Sequence, residues 1–466
     1  MGKIITNIYK FTPSWFQNIG ISIYGYYWKK RRFGGIFEHE LIEFKKRENY
    51  SLNQWTNYQT RELRKLLLHA YNTVPYYSQL FRSIGLTKEF IINSFEIQDL
   101  NKIPPLTKEI LRKYGSTTLL STMKEKGGVF LSSSGSTGTP TKIYFSKIMH
   151  QRYAAAAEAR SRNWAGINRF NARGMIGGRR VVPDGISKGP FYRYNFIEKQ
   201  VYFSAYHISA KTAIDYVDAI RKYKLDYMTG YAMSNYFLAR FFDENNIEVP
   251  KLKAVITCSE KLTAEMRMLF KKVYGCKTFD GYSGVEGCGM ITENEYGQLL
   301  ISPDVGIMEI LKEDGSDCLP GETGEVYSTG LLNFDQPLIR YRIGDMVKLS
   351  LDQTTKCGRN MGIVDEIVGR VEDTVIGSDG REMVRFHGIF INLSSVIEGQ
   401  IIQHTVDQFE IKVVSTGEIS DNDLNLIRYR MKSQLGEIKL EINCVDSIPR
   451  NQNGKFKAVI SYVKRK

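Results

Sequence analysis

No two cysteines of this chain stand in a C-x-x-C pair. The six present (Cys258, Cys276, Cys288, Cys318, Cys357 and Cys444) are scattered, which argues against a structural zinc site and against a disulfide scaffold. No signal peptide is apparent, so unpaired thiols fit a reducing, cytoplasmic setting. An apolar run of the roughly 20 residues that a membrane span needs is also missing. The ring-rich segment 11–33 comes nearest, but Gln17, Asn18, Gly20 and Gly25 interrupt it. Zinc-finger spacing, an RNP signature and heptad arrays are absent too. The net charge of +14, from 64 Lys and Arg against 50 Asp and Glu, is therefore read as a basic solvated surface, and no nucleic-acid partner is expected.

The 466 residues allow two or three folding units with ample core. Hydrophobic content is 42% and charged content 24%, which is ordinary globular usage and excludes disorder. The 28 Tyr and 24 Phe favour packed β-rich structure and ring-lined pockets.

Residues 55–83 are helical in pattern, with Thr73-Val74-Pro75 ending the first helix, and Gln79 to Leu86 reads as a short second one closed by Gly85. Residues 129–132 read as a strand and Lys142 to Phe145 as another. Residues 148–165 are helical, and 210–246 carry two amphipathic helices around Tyr227 to Tyr231. Lys253 to Thr257 reads as a buried strand, with a helix from Thr263 to Tyr274 after it. This strand–helix alternation argues for an α/β core. From 297 to 350 the pattern changes to short strands with turns at Asp314-Gly315 and Pro320-Gly321, a β-rich subdomain. After about Val368 to Glu372 comes a compact α+β module: a hairpin turn at Ser378-Asp379-Gly380, a helix after Asn392, a strand from Phe409 to Val414, and a helix through Leu424, Ile427, Met431 and Leu435 stopped by Gly436. The expected division is 1–50, an aromatic and basic segment packed on the main domain or lying on a membrane surface; 51–368, the large domain; and 369–466, the small one.

Between the strands at 129–132 and 142–145 lies the most informative stretch, Ser132-Ser133-Ser134-Gly135-Ser136-Thr137-Gly138-Thr139-Pro140-Thr141-Lys142. Hydroxyls and bare backbone N–H groups alternate, which suits the phosphates of a nucleotide. It is not a P-loop: the second glycine position, counted from Gly135, holds Pro140, and from Gly138 it holds Ile143. Nor does the loop contain G-x-G-x-x-G. A polar surface linker is the plain alternative.

Four further segments carry chemistry. Asp280-Gly281-Tyr282-Ser283-Gly284-Val285-Glu286 offers a ring for a base and a carboxylate for magnesium. Leu338 to Asp345 ends in a carboxylate suited to ribose hydroxyls. Gly369-Arg370-Val371-Glu372-Asp373 lies at the domain boundary, and Pro449 to Lys455 ends on a glycine-flexed lysine. Singly, each reads as well as a surface acid, a surface ion pair or one more tail lysine.

In their order and spacing these segments resemble the motif series of the adenylate-forming superfamily. More narrowly they resemble the phenylacetate–coenzyme A ligase family, through the hydroxyl loop, the Pro337-Leu338-Ile339-Arg340-Tyr341-Arg342 run and Asn72-Thr73-Val74-Pro75-Tyr76-Tyr77. Within it the chain is most similar to the CapK-like proteins of surface-polysaccharide loci, through Gln17-Asn18, Cys357-Gly358-Arg359 and Gly454-Lys455-Phe456-Lys457. The resemblance implies an α/β fold, with a large N-terminal adenylate-forming domain of mixed sheets packed with helices plus a β-rich subdomain, and a small mobile α+β C-terminal domain. It implies ATP, Mg²⁺ and coenzyme A, and activation of a small-molecule carboxylate as an acyl-adenylate. The acyl group then passes to a thiol (coenzyme A) or an amine (an amino sugar precursor), in polysaccharide biosynthesis, in the cytoplasm or at the inner face of the membrane. By resemblance Ser133, Ser134, Gly135, Ser136, Thr137, Gly138, Thr139 and Lys142 would grip the phosphates. Ser259, Glu260, Asp280, Gly281, Tyr282, Ser283 and Asp345 would hold adenine and ribose, and Glu286 would ligate Mg²⁺. Arg370 would assist at the ribose, Glu372 would be the hinge and Lys455 the catalytic lysine. Ser283, Val285 and Ile343 depart from the family's usual Gly, Thr and Thr. A non-catalytic nucleotide-binding homologue is the alternative that these departures leave open.

Overall fold

The computed structural model describes residues 12–132, 141–183, 186, 188–209, 211–260, 262–368, 375–377, 382–383, 387–390, 393, 395–415, 417–449 and 459–463. Ahead of the first strand come helices over Ser14–Phe33, Phe37–Arg47, Leu52–Thr73 and Pro75–Ser83. The last of these begins at Pro75, not at Gln79 as expected. Proline is pre-organised for the first helical position, where its missing N–H costs nothing, so it starts this helix as well as ending the one before.

Strands β1 (Val129–Ser132) and β2 (Lys142–Phe145) pair antiparallel, with Ser132 opposite Lys142. The expected strand–loop–strand setting is present. Ser146 caps the helix Lys147–Ala157 by accepting from the Met149 N–H. This helix runs on into a single π-helical turn, Glu158–Arg162, which delivers the fully buried Arg160 to Asp304 (Nη2 to Oδ2, 2.9 Å). Arg47 reaches the same carboxylate oxygen at 2.9 Å. Two guanidiniums on one buried carboxylate tie the N-terminal helices to the loop after Ile301.

β3 (Arg173–Gly177), β4 (Tyr192–Asn195), β5 (Gln200–Ser204), β6 (Tyr227–Tyr231), β7 (Ala254–Cys258) and β8 (Lys277–Ser283) form one half of a twelve-stranded sheet. In the order β5-β3-β6-β7-β8 these strands are parallel, and β4 closes the edge antiparallel. Their crossovers include helices Ala213–Lys222, Ala232–Glu244 and Ala264–Tyr274, whose apolar sides form one core with Ile176, Val201, Met228 and Val255. The sheet continues through β9 (Met290–Glu293), β10 (Leu299–Ile301), β11 (Gly306–Leu311), β12 (Thr323–Gly330), β13 (Tyr341–Leu349) and β14 (Ile363–Ile367), antiparallel throughout. This is the β-rich region that the short strands predicted.

The C-terminal region pairs β15 (Val375–Ile376) with β16 (Glu382–Met383). A four-stranded sheet follows, of β17 (Val396–Gln403), β18 (Gln408–Ser415), β19 (Lys439–Cys444) and β20 (Val459–Ser461), in the order β19-β18-β17-β20. The helix Asp421–Leu435 packs Ile427, Met431 and Leu435 against it. The helix expected after Asn392 is not there: Val396–Gln403 is a strand. β17 is paired on both sides, and an interior strand is buried on both faces, so its apolar residues cluster and lose the alternation that marks a strand.

Candidate active site

The carboxyl ends of the parallel strands converge on one rim of the sheet, where ligands bind in open α/β folds. Cys258 at the end of β7 lies opposite Gly281 in β8, so Ser259 and Glu260 leave β7 beside Tyr282 and Ser283. Ser259 has φ +71°. A left-handed backbone at a residue with a Cβ costs about 1–2 kcal/mol, and such strain gathers at ligand-binding turns.

Asp280 is partly buried. Its Oδ1 accepts from the Gly281 N–H at 2.9 Å and from the Thr257 hydroxyl at 3.3 Å. Burial pushes its carboxyl up to about 6 from 3.8, with the neighbouring Glu293 adding to the rise. Glu293 is itself held by Arg267 through two bonds, 3.0 and 2.8 Å, and accepts the Asp280 N–H at 2.7 Å. The strand end is thus braced by a chain of charged groups.

The pairing of Tyr282 with Asp345 organises the site. The Tyr282 hydroxyl donates to Asp345 Oδ2 at 2.9 Å across 63 residues of sequence. Asp345 reaches it because β13 bulges. Glu325 pairs with Met346 and Tyr327 with Arg342, so Val326 alone opposes Ile343, Gly344 and Asp345. Gly344 takes φ +80°, a conformation it adopts without steric cost. A bulge of this kind re-aims the side chain beside it. Upstream, Arg340 anchors the strand: its guanidinium donates to Glu309 at 3.0 Å and to the carbonyls of Asn101 and Ile103. Burial, then the charge of Asp345, holds the Tyr282 hydroxyl well above its ordinary range, so it remains a donor.

Glu286 lies in the loop after β8. A Cβ placed on Gly284 would meet Glu286 Oε2, the movable end of that side chain, so the carboxylate folds back over Gly284. Tyr153, on the helix after β2, is a residue the motif reading passed over. Its hydroxyl lies near Ser283, Cys258, Cys288 and Glu286, and burial pushes it up to about 12. Tyrosine is common in this chain, and nothing about position 153 marked it in sequence. The same helix lays Met149 and Tyr153 against Gly287, which joins the β1–β2 hairpin to the Glu286 loop. The hairpin is held from behind: Gln336 Oε1 accepts the Tyr144 N–H at 2.6 Å, and Asn333 Nδ2 donates to the Tyr144 carbonyl at 3.0 Å.

The structure therefore brings together Ser259, Glu260, Asp280, Gly281, Tyr282, Ser283, Glu286 and Asp345, and sets exposed Lys142 at the foot of the hydroxyl loop. Ser133, Ser134, Gly135, Ser136, Thr137, Gly138, Thr139, Arg370, Glu372 and Lys455 lie outside the described residues. The donors present fit a nucleotide: a ring beside a carboxylate for base and ribose, and a strained turn alongside. Among the described residues no group of three or more His, Cys, Asp or Glu could hold a metal by itself. Glu286 alone suits magnesium, which takes one or two carboxylates and completes its shell with phosphate oxygens and water.

Residues 375–462 match the family model of the CapK C-terminal domain. Protein CapK of Staphylococcus aureus is 26% identical over 474 residues, covering 99% of this chain and 100% of that protein. Phenylacetate-coenzyme A ligase of Escherichia coli is 26% identical, covering 87% of this chain and 94% of its own length. That of Thermus thermophilus is 24% identical, covering 86% and 95%. Among solved structures, 2-hydroxyisobutyryl-CoA ligase in complex with 2-HIB-AMP and CoA superposes with a TM-score of 0.57 at 16% identity, covering 89% of this chain and 91% of that one. The chain is thus a homologue of CapK and of the phenylacetate-coenzyme A ligases, built on the adenylate-forming fold.

Proposed function

We propose that this protein is an AMP-forming ligase that activates a carboxylate with ATP and passes the acyl group on. The observation that carries the reading is the Tyr282–Asp345 hydrogen bond, made by a bulge that brings the Asp345 carboxylate to the Tyr282 hydroxyl, a ring and a carboxylate suited to a base and a ribose. In the first step a carboxylate oxygen attacks the α-phosphorus of ATP, the bond to the bridging oxygen breaks, and pyrophosphate leaves. The product is a mixed anhydride whose leaving group is AMP. Little proton transfer is needed, so positioning and charge neutralisation supply most of the rate.

Tyr282 and Asp280 would hold the base, with Ser259 and Glu260 along its edge, and Asp345 and Arg370 the ribose. The loop from Ser133 to Lys142 would hold the outer phosphates. Magnesium on Glu286 would supply charge neutralisation at the phosphates, and Lys455 would do so from the C-terminal domain. In the second step a thiol or amine attacks the acyl carbon, AMP departs, and the nucleophile's proton passes to solvent. The phenylacetate-coenzyme A ligase relatives support coenzyme A as acceptor. The full-length similarity to CapK supports a role in surface-polysaccharide biosynthesis, where the acceptor would be an amine on a sugar precursor.

The test is pyrophosphate release over a panel of aryl, fatty, amino-acid and uronic carboxylates, with and without coenzyme A. One class should give turnover that depends on ATP and on Lys455. ATP binding without pyrophosphate release on any carboxylate would overturn the ligase reading in favour of a non-catalytic nucleotide-binding homologue.

A further inference from the structure

The helix Ser14–Phe33 packs inside out. Its buried residues are Gln17, Ser22, Gly25 and Arg31, with Trp28 edge-on to His150. Gln17 accepts from Arg193, Asn18 Oδ1 accepts the Tyr194 N–H at 2.9 Å, and Ser22 Oγ accepts the Phe196 N–H at 3.2 Å. These bonds satisfy β4, the edge strand of the twelve-stranded sheet. Further along, Arg31 donates to His150 Nδ1 and to the carbonyls of Gly127 and Phe145. Arg32 pairs with buried Glu198 at 2.5 Å. Lys29 Nζ donates to the Ile197 carbonyl at 3.2 Å, so three of the four residues of the basic cluster are spent on holding the helix down.

Solvent receives the apolar side. Trp15 is 63% exposed, Ile23 67% and Tyr26 59%, and Phe16, Ile19 and Tyr27 are exposed as well. At 100° per residue these six fall within an arc of about 120°, and Tyr24, also exposed, lies beyond its edge. Phe196, in the turn after β4, adds an exposed ring beside them. A helix fixed by about half a dozen side-chain bonds, with its large apolar residues left in water, is displaying them.

We propose that this face docks on an anionic lipid bilayer, with the helix lying in the interface plane. Three observations choose a bilayer over a protein partner. Trp15, Tyr26 and Tyr27 make up half of the arc, and Trp and Tyr are the residues whose rings sit at the level of lipid headgroups. Exposed Lys30 falls inside the same arc, at its C-terminal end. Lysine is depleted from protein interfaces but snorkels readily at a membrane surface. The chain as a whole carries +14, which complements anionic headgroups. Among the described residues no helix is long and apolar enough to cross a membrane, so the attachment is to one face of the bilayer.

The experiment is flotation of the full chain with vesicles of phosphatidylcholine alone or with about one-third phosphatidylglycerol, beside its oligomeric state by analytical ultracentrifugation. The chain should float with the anionic vesicles. The double variant Ile19→Ser/Ile23→Ser should lower partitioning about ten-fold or more. Lys30→Glu should lower it by a similar factor on anionic vesicles only, in a salt-dependent way. All these positions are exposed, so melting temperature and pyrophosphate release should not move. No flotation, or flotation indifferent to Ile19 and Ile23, overturns the proposal. So does a dimer that the double variant dissolves, because a second copy would then cover the face.

Discussion

Asp345 and Tyr282 hold each other in place, so each substitution tests a different part of the site. Asp345→Ala removes the carboxylate and leaves the Tyr282 hydroxyl without its acceptor. Losing a hydrogen bond to a charged group costs about 1.5–3 kcal/mol, so the dissociation constant for ATP should rise about 10- to 100-fold by titration calorimetry. Tyr282→Phe keeps the ring and loses only the donor. Its ATP affinity should change by less than about three-fold, because the ring's stacking surface survives. Asp280 gives a prediction in pH. Its carboxyl stands at about 6 in the folded protein against 3.8 when free. Between those values the folded form holds a proton that the unfolded form has lost, so stability falls as pH rises through this window. Asp280→Asn should therefore raise the melting temperature at pH 7, corresponding to about 1–3 kcal/mol, and the gain should vanish below about pH 4. An equal gain at both pH values would show that Asp280 is not the titrating group.

At the scale of elements, the bulge in β13 places Asp345, the carboxylate proposed to hold the ribose. Gly344→Ala puts a Cβ on a residue at φ +80°, at a cost of about 1–2 kcal/mol by urea denaturation. If the strand relaxes to regular pairing, Asp345 turns away and ATP affinity falls as for Asp345→Ala, although every ligand side chain is still present. Sequence reveals some of this and hides the rest. The strands on either side of the hydroxyl loop are readable because two short apolar runs, Val129-Phe130-Leu131 and Ile143-Tyr144-Phe145, flank a run of Ser, Thr and Gly. The Thr263-capped helix and the Gly436 stop were readable for the same local reasons. The bulge was not, since three residues opposing one is a property of two strands and only one of them carries the motif. Tyr153 was invisible because its role comes from a helix laid across the Glu286 loop. β17 misled because burial on both faces erases alternation, and the second helix started at Pro75 because the residue that ends one helix can begin the next.

Across the whole molecule, the residues proposed for catalysis divide between the twelve-stranded sheet and the C-terminal region that matches the CapK domain model. That division predicts that the two half-reactions can be broken separately. Lys455 would neutralise charge on the phosphoryl group during adenylation, so Lys455→Ala should cut carboxylate-dependent pyrophosphate release by about 10²–10³. Transfer from a supplied acyl-adenylate should stay within a few-fold of the unsubstituted enzyme. Glu372, at the proposed hinge, would act in the opposite sense. Proline there fixes φ near −65°, and a domain that must turn about this residue to admit the acceptor could no longer do so. Glu372→Pro should therefore release pyrophosphate in a single burst of about one equivalent and then stall with the adenylate bound. Rapid-quench measurement of both products separates the cases. If Glu372→Pro slows both half-reactions equally, no rotation about this position divides them, and if Lys455→Ala slows only the transfer step, the lysine serves the acceptor instead of the phosphate.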